Sequence, residues 1–277
     1  MSISVWAQTY LDFLGLEPEK PSVSALAKLT QRQVTKVPFE NASAILRYER
    51  NKSGALPSPD PEELLHRWIK QEGGCLCFEA TKAFNRLLRE LGYESRIISG
   101  TITFPNSHEA IAVQVEDRHY IVEVGNGAPI YAPIAMDETV EVAHAGLKFQ
   151  FRPDEQEGSY LQERWIDGSW QPFCRYHVNV PRDDDSLYEC YSRHHIPGQS
   201  KVLSELLLVR CTLENVFVLN NYVLTVFSPD SKEKTTIRSK EELVHVLETK
   251  FHLRSQLIID GFDGLRRLGV MTDEPLS

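Results

Sequence analysis

Three residues able to do chemistry stand far apart in the chain but in an order that a fold can close: Cys77, His108 and Glu123. Cys77 opens an apolar helix. After Gly73-Gly74-Cys75-Leu76, the residues Phe78, Thr81, Phe84, Leu87, Leu88 and Leu91 recur at helical spacing, and Gly92 ends the run. The first turn of a helix carries unpaired N–H groups and the positive end of the macrodipole, so it favours an anion. A thiolate, the nucleophilic form of cysteine, is such an anion. The two glycines let the chain turn sharply and come close to whatever sits at the helix end. A cysteine there is either a nucleophile or inert packing, and the residues downstream decide between the two.

His108 lies where a loop becomes a strand, and Glu123 lies among apolar neighbours in a returning strand. A glutamate inside such a strand needs a partner. With Asp117-Arg118 as the turn, residue 112 faces residue 123, so His108 and Glu123 point to the same side. The carboxylate can then hold one imidazole nitrogen while the other faces Cys77. That register leaves them four positions apart, roughly 13 Å at the usual rise, so a bulge or a bend must close the gap.

The elements that must position these residues change period along the chain. Residues 3–16 read as a helix, and Ser22 or Ser24 caps a second one carrying Leu26, Leu29 and Val34. Pro38 breaks helical continuation in Val37-Pro38-Phe39-Glu40-Asn41. A polar loop over 49–60, with Pro57 and Pro59, precedes a helix that starts at Pro61 and stops at Gly73-Gly74. Cys77 thus heads the last helix of a helical region spanning 1–92. Strands follow over 96–104, 108–116, 120–124, 147–151, 160–162 with Trp165, and 177–180, a mostly antiparallel β-barrel over 93–181. Asp183-Asp184-Asp185 caps a connecting helix over 182–198. The remainder, 199–277, holds strands at 202–213 and 217–227 and a terminal helix with a Ser239–Glu242 capping box.

The bulk properties exclude several classes. With 277 residues, 42% of them hydrophobic and 25% charged, the chain supports well-formed cores. A net charge of −9 argues against nucleic acid or an anionic membrane as partner. No apolar run spans a bilayer and no charged leader precedes Val5, so a cytoplasmic protein is expected. The odd count of five cysteines is not a secreted disulfide framework. Cys75-Leu76-Cys77 has the wrong spacing for a zinc knuckle, and adjacent His194-His195 diverge, so no metal is expected.

Taken together these segments resemble the arylamine N-acetyltransferase family over nearly the whole chain. Gln33-Val34-Thr35-Lys36-Val37-Pro38-Phe39-Glu40-Asn41 is similar to its Pro-Phe-Glu-Asn signature. Cys77-Phe78-Glu79 with Leu87-Leu88-Arg89-Glu90-Leu91-Gly92-Tyr93 resembles its nucleophile helix. His108 and Tyr120-Ile121-Val122-Glu123-Val124-Gly125-Asn126-Gly127 resemble its histidine and aspartate segments. The resemblance implies an α+β protein made of an N-terminal helical bundle, a central antiparallel β-barrel and a C-terminal α/β lid, with the triad on Cys77, His108 and Glu123. It also implies acetyl-CoA as donor and an arylamine or hydrazine as acceptor. The mechanism it implies is ping-pong, through an acetyl-cysteine. Gly125 and Gly127 would let coenzyme A approach the backbone, and Phe39 would wall the acceptor pocket.

Three departures stand out. Glu123 replaces the usual aspartate, and Asn126 replaces a bulky apolar residue that would line the acceptor pocket. Gly73-Gly74-Cys75 replaces Arg-Gly-Gly, which removes the arginine partner of Glu40. Lys70, another basic group or backbone donors are the available substitutes. Two other readings keep the same chain order: a transglutaminase-like or papain-like thiol hydrolase, and a non-catalytic relative that binds ligand only.

Overall fold

A computed structural model describes residues 3–51, 58–155, 158–180 and 182–272. Within the expected polar loop, residues 52–57, Pro57 included, lie outside the described residues. The chain begins with α1 (Val5–Leu14), capped by Ser4, whose hydroxyl accepts from the Ala7 N–H at 3.1 Å. Ser22 rather than Ser24 caps α2 (Val23–Lys36). Pro38 then redirects the chain into β1 (Phe39–Glu40), and α3 (Ala42–Arg50) follows. The sequence reading missed this short helix, because the polar residues Arg47, Tyr48, Glu49 and Arg50 blend into the polar segment behind it. After α4 (Pro61–Ile69), Cys77 heads the fifth helix of the described chain, α5 (Cys77–Glu90), rather than the fourth.

The β region comprises β2 (Glu94–Thr101), β3 (His108–Val115), β4 (Arg118–Val122), β5 (Ile134–Ala135), β6 (Val140–His144), β7 (Leu147–Pro153), β8 (Ser159–Ile166) and β9 (Ser169–His177). They form one antiparallel sheet in the order β5-β4-β3-β2-β9-β8-β7-β6. Ile98, Ala110, Ile121, Ile134, Phe151, Tyr160 and Tyr176 share one interior. The Tyr160 hydroxyl crosses that interior to the Ala135 carbonyl at 2.8 Å, so the sheet is curled into a nearly closed barrel. The opposite face of β3 and β4, with Ile111, Val113, Tyr120 and Val122, packs on the helices. Alternation therefore fixes which residues face the barrel interior and which face α5.

Of the strand expected over 177–180 only His177 is in a strand, as the last residue of β9, which starts at Ser169. Its exposed residues and a register shift opposite Gln162/Glu163 hide the alternation from a sequence reading. Helix α6 (Asp184–His194), capped by Asp183, then crosses over the Cys77 end of α5.

The final part is a five-stranded sheet, β1-β10-β11-β12-β13, with β10 (Leu207–Cys211), β11 (Val216–Asn220), β12 (Val223–Phe227) and β13 (Lys232–Thr236). The expected strand over 217–227 is thus a hairpin, turned at Asn221, a residue type that tolerates its φ of 48°. The expected strand over 202–213 is shortened to β10 by a 3₁₀ turn at Lys201–Leu203. Helix α7 (Lys240–Val246) carries the expected Ser239 cap, but it is not terminal. The chain reverses at His252 and adds α8 (Ser255–Arg267), which packs on α3 through Ala42 and Ile45. Because β1 pairs Phe39 with Val209, residues from the first fifty complete the C-terminal layer.

Candidate active site

The sharp approach to α5 is made by Gly74. A β-carbon there would lie 2.0 Å from the Pro38 carbonyl oxygen, so only glycine lets residues 74–75 lie against Pro38 and Phe39. The Leu76 N–H donates to the Glu79 carboxylate at 2.9 Å, which secures the first turn. Glu79 is itself paired with Arg47 of α3. Cys77 occupies the first helical position, where its N–H has no acceptor within the helix.

The hairpin turn is Glu116-Asp117, with Glu116 at φ 54°, rather than Asp117-Arg118. This shifts the register by one pair: Ile111 faces Val122, so Glu123 falls opposite Ala110, two positions from His108 instead of four. No bulge is needed, since the imidazole spans the remaining offset. His108 Nε2 lies 2.7 Å from Glu123 Oε2, and Cys77 is near enough to the ring to favour its protonated form. Just before the histidine, the Ser107 hydroxyl accepts from the N–H groups of Ile102 and Thr103 at 3.0 Å, which fixes the loop from which His108 emerges.

Glu123 is held at both oxygens. Oε1 accepts from the N–H groups of Gly125 (2.9 Å) and Asn126 (3.2 Å), while Oε2 takes the His108 ring and the Tyr176 hydroxyl at 2.7 Å. The Tyr176 oxygen is equally near Gln162 Oε1, but an anion is the stronger acceptor, so its proton goes to Glu123. Cys77, His108 and Glu123 are 8%, 2% and 1% exposed, so this charge pattern survives only because every member is paired. Burial opposes charge on both partners. Against it, the charge of Glu123 and the neighbouring Cys77 sulfur carry the imidazole well above its usual range, and the charge of His108 holds the carboxylate below its own. The arrangement can therefore hold an imidazolium beside a sulfur atom. Cys75, by contrast, is fully buried, and burial pushes its thiol far up, which leaves it as packing.

A family model described as N-acetyltransferase matches residues 22–258. The chain belongs to the arylamine N-acetyltransferase family. It is 24% identical over 261 residues to the arylamine N-acetyltransferase / N-hydroxyarylamine O-acetyltransferase of Salmonella typhimurium, covering 91% of this chain and 89% of that protein. The solved structure of the Salmonella typhimurium enzyme superposes with a TM-score of 0.81 at 19% identity, over 96% of this chain and 100% of that one. A Bacillus cereus arylamine N-acetyltransferase, whose structure is described as revealing a unique Cys-His-Glu catalytic triad, superposes with a TM-score of 0.76 at 21% identity, over 91% and 100% of the two chains.

As a member of this acetyltransferase family, the chain solves its departures locally. Arg67 of α4 replaces the missing arginine: its guanidinium lies 3.6 Å from the buried Glu40, which also accepts from the Ser43 N–H at 2.9 Å. Lys70 is not the substitute. Gly125 has a packing reason of its own, because a β-carbon there would sit 2.6 Å from Cys77 Cα. Asn126 turns its side chain to the Ala128 N–H (2.9 Å) and toward Gln162 (3.3 Å), knitting the loop behind the carboxylate. Phe39 is half-buried among Val34, Val124 and Val209. Sequence reasoning missed Tyr176, Gln162 and Arg67. All three act across the fold, and no local pattern announces them. Among the described residues, no helix is long and apolar enough to cross a membrane.

Proposed function

We propose that the protein transfers acetyl groups from acetyl-CoA to an arylamine or hydrazine nitrogen through an acetyl-Cys77 intermediate. The observation that carries the reading is the buried cluster of Cys77, His108 and Glu123, with Glu123 bonded to the His108 ring and fixed by two backbone N–H groups and Tyr176. The Cys77 thiolate attacks the thioester carbonyl, and the carbonyl oxygen takes the negative charge near the Cys77 N–H. Collapse forms the acetyl-cysteine thioester and expels coenzyme A as a thiolate, which takes the proton of the His108 imidazolium. The acceptor nitrogen then attacks the acetyl carbon. His108 removes the nitrogen's proton, and departure of the Cys77 thiolate releases the amide. Glu123 keeps the ring oriented and offsets its charge at each stage.

A cleft of about 750 Å³ supports the donor's approach. It begins at Asn126, whose N–H donates to Glu123, and Gly127, and runs between the barrel rim and the C-terminal sheet. The Bacillus cereus relative's Cys-His-Glu description supports glutamate as a working third member. Incubation with acetyl-CoA should give a single acetyl adduct by mass spectrometry, which an arylamine then discharges. An adduct that persists in Cys77→Ala, or no adduct on the parent protein, overturns the assignment.

A further inference from the structure

Arg164 lines the same cleft and has no task in the chemistry above. Strand register puts it on the inward face of β8, since Arg164 pairs with Phe149 and Gln162 with Phe151, both of them barrel-interior residues. Its guanidinium stacks on Phe173 at 3.2 Å, and its Nε is buried without a hydrogen-bond partner. Glu163, next in the strand, is held by Arg152 at 2.9 Å, and Asp167 and Asp230, which line the same cleft, form no ion pair with Arg164. Among the described residues, Arg164 makes no ion pair. Burial alone lowers its pKa to about 10, the mark of a cation set into the protein without its counter-charge.

A guanidinium is the side chain suited to a planar, two-point grip on a carboxylate or phosphate. Leaving one largely buried and unpaired costs free energy that a bound oxyanion would recover. We propose that Arg164 anchors an oxyanion-binding subsite in the cleft, taking a carboxylate or phosphate group carried by one of the two substrates. The acetyl-transfer reading enters only in saying what those substrates are. The subsite lies beside the triad's support: Arg164 is two residues, roughly 7 Å, from Gln162, whose Oε1 is 2.7 Å from the Tyr176 hydroxyl. A carboxylate on the ring of an acceptor held in the cleft is one such group for this subsite. A phosphate of the donor reaches it if the donor's arm folds back along the cleft.

Calorimetric binding in a Cys77→Ala background tests the subsite whether or not Cys77 carries an acetyl group. The probes are two pairs: coenzyme A against pantetheine, which lacks the phosphates and the adenosine, and 4-aminobenzoate against 4-methylaniline, which lacks the carboxylate. The anionic member of at least one pair should bind better. Arg164→Gln should remove that preference by about tenfold or more while leaving the uncharged member unchanged. Arg164→Lys, which keeps the charge and loses the fork, should give an intermediate loss and serves alone if the Gln variant does not fold. The pair that loses its preference identifies which substrate supplies the oxyanion. The proposal is overturned if the protein prefers neither anionic probe, if folded Arg164→Gln binds all four probes as before, or if it loses all four equally.

Discussion

Glu109 makes the sharpest quantitative case. It follows His108 on β3 but points to the other face, under α5 and α6, and is 3% exposed. Among the described residues, its Oε1 and the facing Ser99 hydroxyl are both buried without a hydrogen-bond partner. Burial raises its pKa from the ordinary 4.5 to about 8, against the opposing pull of His108, Arg182 and Lys82, and Cys190 of α6 also feels its charge. A carboxyl group whose folded pKa is raised contributes most stability when protonated, below pH 4.5, and that contribution is lost as pH rises toward 8. Between pH 5 and pH 8.5 the loss amounts to about 4 kcal/mol as an upper bound, at 1.36 kcal/mol per pH unit. Glu109→Gln keeps the shape and cannot ionise. The two proteins should therefore have nearly equal stability at pH 5, and the variant should be more stable by up to about 4 kcal/mol at pH 8.5. Urea denaturation followed by tryptophan fluorescence at the two pH values measures the difference. His194 and His195, held down to about 4 by burial, impose an acid-side loss on both proteins alike, so the comparison cancels it. Parallel pH dependences for the two proteins would refute the account of Glu109.

Gly125→Ala must move the Cys77 backbone, because the new β-carbon would stand 2.6 Å from Cα and 2.8 Å from Cβ, contacts no rotamer can relieve. The acetylation rate should fall by about 100-fold or more with the fold retained by circular dichroism, and a rate equal to the parent's disproves the packing argument. Tyr176→Phe removes one of the donors that hold Glu123 anionic. The loss of about 1.5–3 kcal/mol predicts a rate decrease of roughly 10- to 100-fold. The Glu123 pKa should rise with it, so the acid limb of the pH–rate profile moves to higher pH; an unmoved limb would make Tyr176 structural only.

Helix starts and the polarity of strands are written locally, and there the sequence sufficed. Ser22, Asp183 and Ser239 cap the helices they announce, and the apolar spacing after Cys77 yields α5. The common facing of His108 and Glu123 was also legible, since alternation along a strand fixes parity whatever the length of the turn. Their separation was not, because moving the turn by one residue changes the offset from four positions to two without changing parity. The helix α3 and the strand β9 escaped because their stability comes from packing partners rather than from any strong local pattern.

What the sequence by itself determined was which side chains are the candidate reacting groups and the backbone period that carries each of them. Tertiary structure alone decided how those groups are charged. The partners come from residues far apart in the chain: the Tyr176 hydroxyl donates to Glu123 from across the barrel, and the Arg67 cation faces Glu40 from a neighbouring helix. It also decided that, among the described residues, Arg164 has no counter-charge. Electrostatic energy depends on distance and burial, which exist only once the strands and helices have closed around one another.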